Sequence, residues 1–192
     1  LLQQFFSPHS NRRQDSWGGS REKRTRFPIE VLTKGQHVVA EKEASHFIIG
    51  YRFSPEEIEE PGIRFEDTMF LLNTLAEYEP DYFHISANSY QRTSIVNQED
   101  TEPLINKYIK MQSAQLAKIP LIGVGSIAQR QDAEHALELG YDLLSVGKAY
   151  LVEPQWTDKI SQNEEVEQFV DIHDQKVPVS YTHLTLPTTP YV

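Results

Sequence analysis

Two stretches of the chain decide its fold: PLIGVGSI (Pro120–Ile127) and DLLSVGKAYL (Asp142–Leu151). Each is a short apolar run bounded by turn formers, which is typical of a strand buried on both faces of a parallel sheet. Each predicted strand ends in a glycine, Gly125 in the first and Gly147 in the second. Because parallel strands end at the same rim of a sheet, we expect both glycines to lie at one rim.

Two further apolar runs precede them, FIIGYRF (Phe47–Phe53) and YFHIS (Tyr82–Ser86). Stretches with apolar residues at three- and four-residue steps separate the four runs and are predicted as helices. They cover Phe65–Tyr78, Thr101–Lys118 and Arg130–Leu139. Alternation of strand and helix predicts βα units around a parallel sheet, the α/β class.

The predicted helix ends rest on individual residues. The first helix is expected to begin near Ser20, whose hydroxyl can cap the first turn. Pro28 then falls inside that helix and is expected to kink or restart it. Gly140 is expected to end the helix of Arg130–Leu139 as its C′ residue.

The glycine pair favours a TIM barrel over a doubly wound sheet. A TIM barrel commonly binds phosphate with the loops that follow its seventh and eighth strands. The dinucleotide pattern G-x-G-x-x-G does not fit, because GVGSIA has Ala128 in place of the third glycine. A single strand glycine more often serves packing or a bulge. Glycines after two consecutive strands favour a phosphate site, since backbone N–H groups can then face an anion.

Composition excludes several classes of function. The 192 residues carry a net charge of −10, which argues against a nucleic-acid groove or an anionic membrane surface as partner. The absence of cysteine excludes disulfides, thiolate metal sites and cysteine nucleophiles within this sequence. No His, Asp and Glu set stands at metal-ligand spacing, so no metal site is predicted and His84 is interpreted as structural. We expect a cytoplasmic domain.

The two ends of the sequence suggest a piece of a longer gene. The chain begins without methionine inside its most patterned segment, LLQQFFSPHSNRRQDSWGGSREKR. Its end, Val179–Val192, has no Asp, Glu, Lys or Arg, and VSYTHLTLPTT within it resembles the translation of a transposon-based sequencing adaptor. We therefore expect residues 179–192 to be a non-native tail and residues 1–178 to belong to one domain.

These motifs together resemble the old yellow enzyme family of FMN-dependent ene-reductases. LLQQFFSPHSNRRQDSWGGSREKRTRF is similar to the segment after the fourth barrel strand, and its SP-x-x-N-x-R-x-D-x-[WY]-GGS core is specific. The four apolar runs resemble strands five to eight. The resemblance implies that residues 1–178 are the second half of a TIM (β/α)8 barrel that binds FMN.

The resemblance also implies the chemistry. NADH or NADPH would reduce FMN, and the hydride would pass to the C=C bond of an enone-type substrate. It implies that Arg52 lies beside the flavin N1/C2 edge, while Gly125, Ser126, Gly147 and Lys148 form two phosphate-binding turns. Lys148 departs from the family's usual arginine and supplies only a point charge. The family's proton-donating tyrosine belongs to a motif that would precede Leu1, so no catalytic residue is assigned here.

Alternatives remain open at this point. The pocket could serve another phosphate-binding barrel enzyme, a lyase or isomerase, and a half barrel could be inert on its own. Arg52 could simply pair with a carboxylate such as Glu56, and the acidic run Glu56–Glu60 is expected to be solvated. Arg13, Asp15 and Trp17 are expected to pin a long loop. Oligomers are compatible with the sequence.

Overall fold

The computed structural model describes residues 1–167. The expected non-native tail, residues 179–192, lies outside the described residues. Four parallel strands form one sheet in the order β1-β2-β3-β4. They span Gly50–Phe53, Tyr82–Ile85, Leu121–Val124 and Leu143–Ser145. The prediction of a parallel α/β sheet in chain order is confirmed.

Helices precede, separate and follow these strands. Two come before the sheet, α1 (Leu2–Phe6) and α2 (Arg21–Glu41). Three connect the strands: α3 (Phe65–Ala76), α4 (Leu104–Met111) with a 3-10 turn at Leu116–Lys118, and α5 (Arg130–Glu138). Two follow β4, α6 (Lys148–Val152) and α7 (Trp156–Ser161).

The sheet has two unlike faces. One face is buried and packs in the core with the helices, and it carries Tyr51, Phe53, Phe83, Ile85 and Leu121. The opposite face carries a row of residues in register: Arg52, His84, Ile122 and Leu143. Leu143 is 53% exposed. This second face corresponds to the inside of a barrel, where layers of side chains from neighbouring strands meet.

The segment before α2 is pinned by buried polar side chains. Asn11 donates from Nδ2 to the carbonyl oxygens of Phe5 (2.6 Å) and Trp17 (2.7 Å). The Nε of buried Arg24 donates to the carbonyl of Phe6 at 2.7 Å. Arg13 and Asp15 form an exposed ion pair. The loop is therefore held by its own polar residues, as expected for Arg13 and Asp15, with Asn11 and Arg24 as the buried anchors.

One predicted helix is shorter in the structure. Thr101–Lys118 is not one helix, because the side chain of Asn73 ends α4. Asn73 donates from Nδ2 to the carbonyl of Met111 (3.1 Å) and accepts from the Ser113 N–H (2.8 Å). The backbone at Gln112 is extended rather than helical, with φ −69° and ψ 139°. A tertiary contact thus replaces the helical hydrogen bonds at this point.

The helix does not restart at Pro28, so that part of the expectation is wrong, and the expected kink stays a prediction. Helix α2 runs through it from Arg21 to Glu41, after the Ser20 cap that the sequence predicts. Pro28 removes one backbone donor. Pro28 and Leu32 are both buried, and this packing offsets the loss.

No helix within residues 1–167 combines the length and the hydropathy that crossing a bilayer requires.

Candidate functional site

A cavity of about 590 Å³ opens at the carboxyl ends of β3 and β4. Its walls are the turns after β3 and β4, one residue of the loop after β2, helix α6 and the exposed Glu167. The lining includes Asn88, Gly125, Ser126, Gly147 and Lys148. The structure therefore brings together the four glycine-turn residues that the sequence singles out. Asn88 was missed, although its position just beyond the strand YFHIS places it at the same rim.

The turn after β3 is tightly packed against the protein. Gly125 has φ +97°, and a Cβ added there would lie 2.5 Å from the carbonyl carbon of Asn88 and 2.6 Å from the Ser89 nitrogen. Ser126 also has a positive φ, +55°. Its Oγ donates to the carbonyl of Asn88 at 3.0 Å. Both residues hold a conformation that L side chains rarely adopt, so the shape of this turn is fixed by its contact with the β2 loop.

Two tyrosines hold that contact in place. The Tyr90 N–H donates to the carbonyl of Gly125 at 3.0 Å. The hydroxyl of buried Tyr141, which follows α5, donates to the carbonyl of Tyr90 at 3.0 Å. Burial raises the pKa of Tyr141 to about 12, so its hydroxyl stays protonated and remains a donor at neutral pH. The turn, the loop and the start of β4 form one connected unit.

The turn after β4 is open. Gly147 has φ −115°, and a Cβ added there would meet nothing within 4 Å. Lys148 is exposed and forms no ion pair within residues 1–167. This side of the cavity offers free space, a backbone that a ligand can approach closely, and an uncommitted positive charge.

Arg52 lies on the inner face of the sheet and does not line this cavity. It is exposed, and its Nη2 donates to the Ser86 Oγ at 3.2 Å. Its register partner His84 has a buried Nε2 without a hydrogen-bond partner in the described chain. Burial, and then the charge of Arg52, lower the pKa of His84. The imidazole is therefore neutral at pH 7, and Arg52 is the cation of this face.

The expected solvation of the acidic run is wrong at its first two residues. Glu56 is 7% exposed and accepts from the Ser94 Oγ and the Ile95 N–H, each at 2.9 Å. Half-buried Glu57 accepts from Ile63 N–H at 3.1 Å and from Gln3 Nε2 at 3.0 Å. The donors to Glu56 lie in the β2–α4 loop, and those to Glu57 lie in α1 and in the β1–α3 connection itself. Glu56 thus does not neutralise Arg52.

Four parallel strand–helix units with a glycine-lined cavity at their carboxyl rim define a protein of the TIM-barrel class. Within that class, the chain belongs to the NADH:flavin oxidoreductase / NADH oxidase family, whose profile residues 1–167 match. The family is FMN-dependent, with NADH or NADPH as hydride donor.

Two named proteins are similar to this chain in sequence, and a solved structure is similar to it in fold. The chain is 62% identical over 176 residues to an NADH:acrylate oxidoreductase of Vibrio harveyi, covering 92% of this chain and 18% of that protein. It is 50% identical over 171 residues to an NADH:fumarate oxidoreductase of Klebsiella pneumoniae strain 342, covering 89% of this chain and 18% of that protein. Morphinone reductase has the same fold with a TM-score of 0.62 at 22% identity, over 88% of this chain and 42% of that chain.

The chain thus spans less than a fifth of the length of its two curated relatives. Membership of a flavin oxidoreductase family decides against the lyase or isomerase that the phosphate pattern alone left open.

Proposed function

We propose that this chain supplies the phosphate-holding part of an FMN-binding barrel. The parent protein would oxidise NADH or NADPH and reduce the activated C=C bond of a small α,β-unsaturated carbonyl compound. One observation carries the proposal: the cavity between the turns after β3 and β4, in a family that uses FMN. The sheet order supports a further proposal, that residues 1–178 are the C-terminal part of a single barrel domain.

The residues of the cavity fit a phosphomonoester. The rigid Gly125–Ser126 turn can present backbone N–H groups, and the open face at Gly147 leaves room for the phosphate oxygens. Lys148 adds a charge that forms no ion pair within residues 1–167, and the exposed Glu167 lines the same cavity. Because an ammonium is a point charge without the fork of a guanidinium, Lys148 would hold the phosphate less rigidly than arginine would.

Arg52 supports the assignment of the flavin ring to the inner face of the sheet. A permanent planar cation there would stabilise negative charge at the pyrimidine edge of the ring. Its hydrogen bond to Ser86 and its unpaired charge leave it available for that role. Bound FMN would accept the hydride of NADH and pass it to the substrate.

The substrate class rests on the relatives. The two curated relatives are named for acrylate and fumarate, which are both α,β-unsaturated acids. We therefore propose a small enoate as the acceptor, within the broader class of α,β-unsaturated carbonyl compounds. Use of NADH, a cytoplasmic reductant, favours a cytoplasmic location.

The test uses the full-length parent protein, purified and reconstituted with FMN. We expect a flavin absorption spectrum, bleaching by NADH under anaerobic conditions, and recovery of the spectrum on adding acrylate or fumarate. A protein that binds no FMN contradicts the cofactor assignment. A flavin that NADH reduces, but that no enoate or enone reoxidises, contradicts the substrate assignment alone.

A truncation tests the domain assignment. The described residues 1–167 contain four strands, and β1 and β4 each have one neighbour among them. Open strand edges favour association over catalysis. We expect residues 1–178 alone to show no NADH-dependent enoate reduction, and a rate per bound flavin equal to that of the parent would contradict the proposal.

A further inference from the structure

Arg92 is a half-buried cation that the assigned site does not use. It lies in the loop between β2 and α4, which leaves the sheet at the same rim as the cavity. Its Nε is fully enclosed and has no hydrogen-bond partner, whereas Nη1 and Nη2 make no hydrogen bond within residues 1–167 but are not enclosed. An enclosed N–H donor without a partner is costly, and such a group calls for an explanation.

The nearby carboxylate does not provide that partner. Glu56 contributes a favourable charge to Arg92, but its Oε1 accepts from Ser94 and its Oε2 from Ile95. Burial lowers the pKa of Arg92, and the charge of Glu56 opposes that shift. An arginine remains protonated at neutral pH under these conditions. Arg92 is thus charged, and its guanidinium makes no hydrogen bond within residues 1–167.

The backbone around Arg92 is fixed relative to the cavity. Its carbonyl accepts from the Leu104 N–H at 2.8 Å, and its N–H donates to the Ser89 carbonyl at 3.1 Å. Two residues earlier, the Tyr90 N–H is bound to Gly125. Asn88, in the same loop, lines the cavity. Arg92 therefore stands at a defined position on the rim rather than on a free surface.

We propose that Arg92 is an anion-binding residue that holds a carboxylate or phosphate oxygen of one of the two reactants at the barrel mouth. The proposal rests on the proposed function. Both reactants offer this chemistry: an enoate carries a carboxylate, and NADH carries a diphosphate. The planar fork of arginine suits either oxygen pair. An anion bound by Nη1 and Nη2, which are not enclosed, would pair two donors that residues 1–167 leave without a partner.

The experiment separates the two half-reactions in the FMN-loaded full-length protein. Arg92→Gln and Arg92→Lys are compared with wild type by stopped flow, first for flavin reduction by NADH and then for reoxidation by acrylate. We expect Arg92→Gln to raise the half-saturating concentration of one reactant by roughly 10- to 100-fold, the value of a charge-assisted hydrogen bond. The limiting rate should change far less, and Arg92→Lys should fall between.

The affected half-reaction names the ligand. A change confined to NADH identifies the diphosphate, and one confined to acrylate identifies the carboxylate. For the carboxylate, an uncharged enone should show no difference between Arg92→Gln and wild type. Arg130→Gln is the matched control, because Arg130 lies on the outer helix α5 and pairs with Glu134.

Several results overturn the assignment. They are unchanged half-saturation for both reactants, or an equal effect from Arg130→Gln. A third is a loss of thermal stability with both half-reactions equally weakened, because Arg92 would then only balance the charge of Glu56. If Arg92→Gln fails to fold, Arg92→Lys decides by the same criteria. Failure of the wild-type protein to bind FMN or oxidise NADH contradicts the proposed function instead.

Discussion

The turns after β3 and β4 look alike in sequence and differ in structure. Gly125 has a positive φ and touches the backbone of Asn88 and Ser89, so no larger residue fits. Gly147 has a negative φ, and a Cβ added there would meet no atom within 4 Å. The first glycine is required by the protein itself, whereas nothing in residues 1–167 requires the second. A glycine without an internal reason, on the wall of a cavity, is the stronger evidence for a ligand.

Gly125→Ala should have the largest effect on stability. The added methyl group meets backbone atoms at 2.5 Å to 2.7 Å, and the left-handed conformation adds strain. We expect a loss of roughly 2–4 kcal/mol in the free energy of unfolding, the range of overpacking combined with backbone strain. Urea unfolding of the FMN-free full-length protein measures it. A loss below about 0.5 kcal/mol, typical of a surface change, would mean that the two turns do not differ as described.

Gly147→Ala should separate folding from binding. Its φ of −115° suits any residue and its Cβ would meet no protein atom, so stability should change by less than about 0.5 kcal/mol. If a phosphate occupies the space, the methyl group should weaken FMN binding about tenfold, near 1.4 kcal/mol. Fluorescence titration of FMN measures the dissociation constant. Unchanged FMN affinity would remove Gly147 from the cofactor site.

Lys148→Ala tests the charge of the open turn. We expect FMN affinity to fall about three- to tenfold at low ionic strength, and the difference to shrink near 1 M salt, where the Debye length is about 3 Å. Lys148→Arg should bind FMN at least as tightly as wild type, since the fork adds a second hydrogen bond. An effect of Lys148→Ala that salt does not reduce would argue against a direct charge interaction with the phosphate.

Ser126 should show the smallest effect, in two opposing parts. Ser126→Ala removes the hydrogen bond to Asn88 and keeps the positive φ, so we expect a loss of about 1 kcal/mol in stability. Ser126→Gly removes the same bond but relieves the backbone strain, and the two should nearly cancel. Thermal unfolding of the two variants side by side measures the difference. If Ser126→Gly is the less stable variant, strain is not stored in this turn.

The sequence predicts the sheet well because each strand is a local apolar run between turn formers. It predicts the strands too long, since YFHIS and PLIGVGSI include residues that already belong to the rim loops. It also predicts too long a helix at Thr101–Lys118, because Asn73, in the preceding helix, ends α4 through space. Local pattern carries no information on such a contact.

The candidate site also contains residues that the sequence predicts and residues that it does not. The strand pattern predicts that Gly125 and Gly147 share a rim, because turns after consecutive parallel strands do so, and the family resemblance adds Ser126 and Lys148. The predicted solvation of Glu56 is wrong. An acidic run is normally solvated, but Glu56 is buried and accepts hydrogen bonds from Ser94 and Ile95. No sequence pattern identifies Arg92, because the sequence does not reveal that its Nε is enclosed without a partner within residues 1–167.

The tether from Tyr141 through Tyr90 to Gly125 makes the cavity wall part of a thermodynamic linkage. Tyr141 and Tyr90 do not line the cavity, yet each hydrogen bond in the series depends on the shape of the turn that does. Occupancy of the turn and order of the β2–α4 loop must then favour one another equally, since coupling between two sites is reciprocal. A reactant held by that loop would tighten the grip on the cofactor, and the bound cofactor would in return prepare the loop for the reactant.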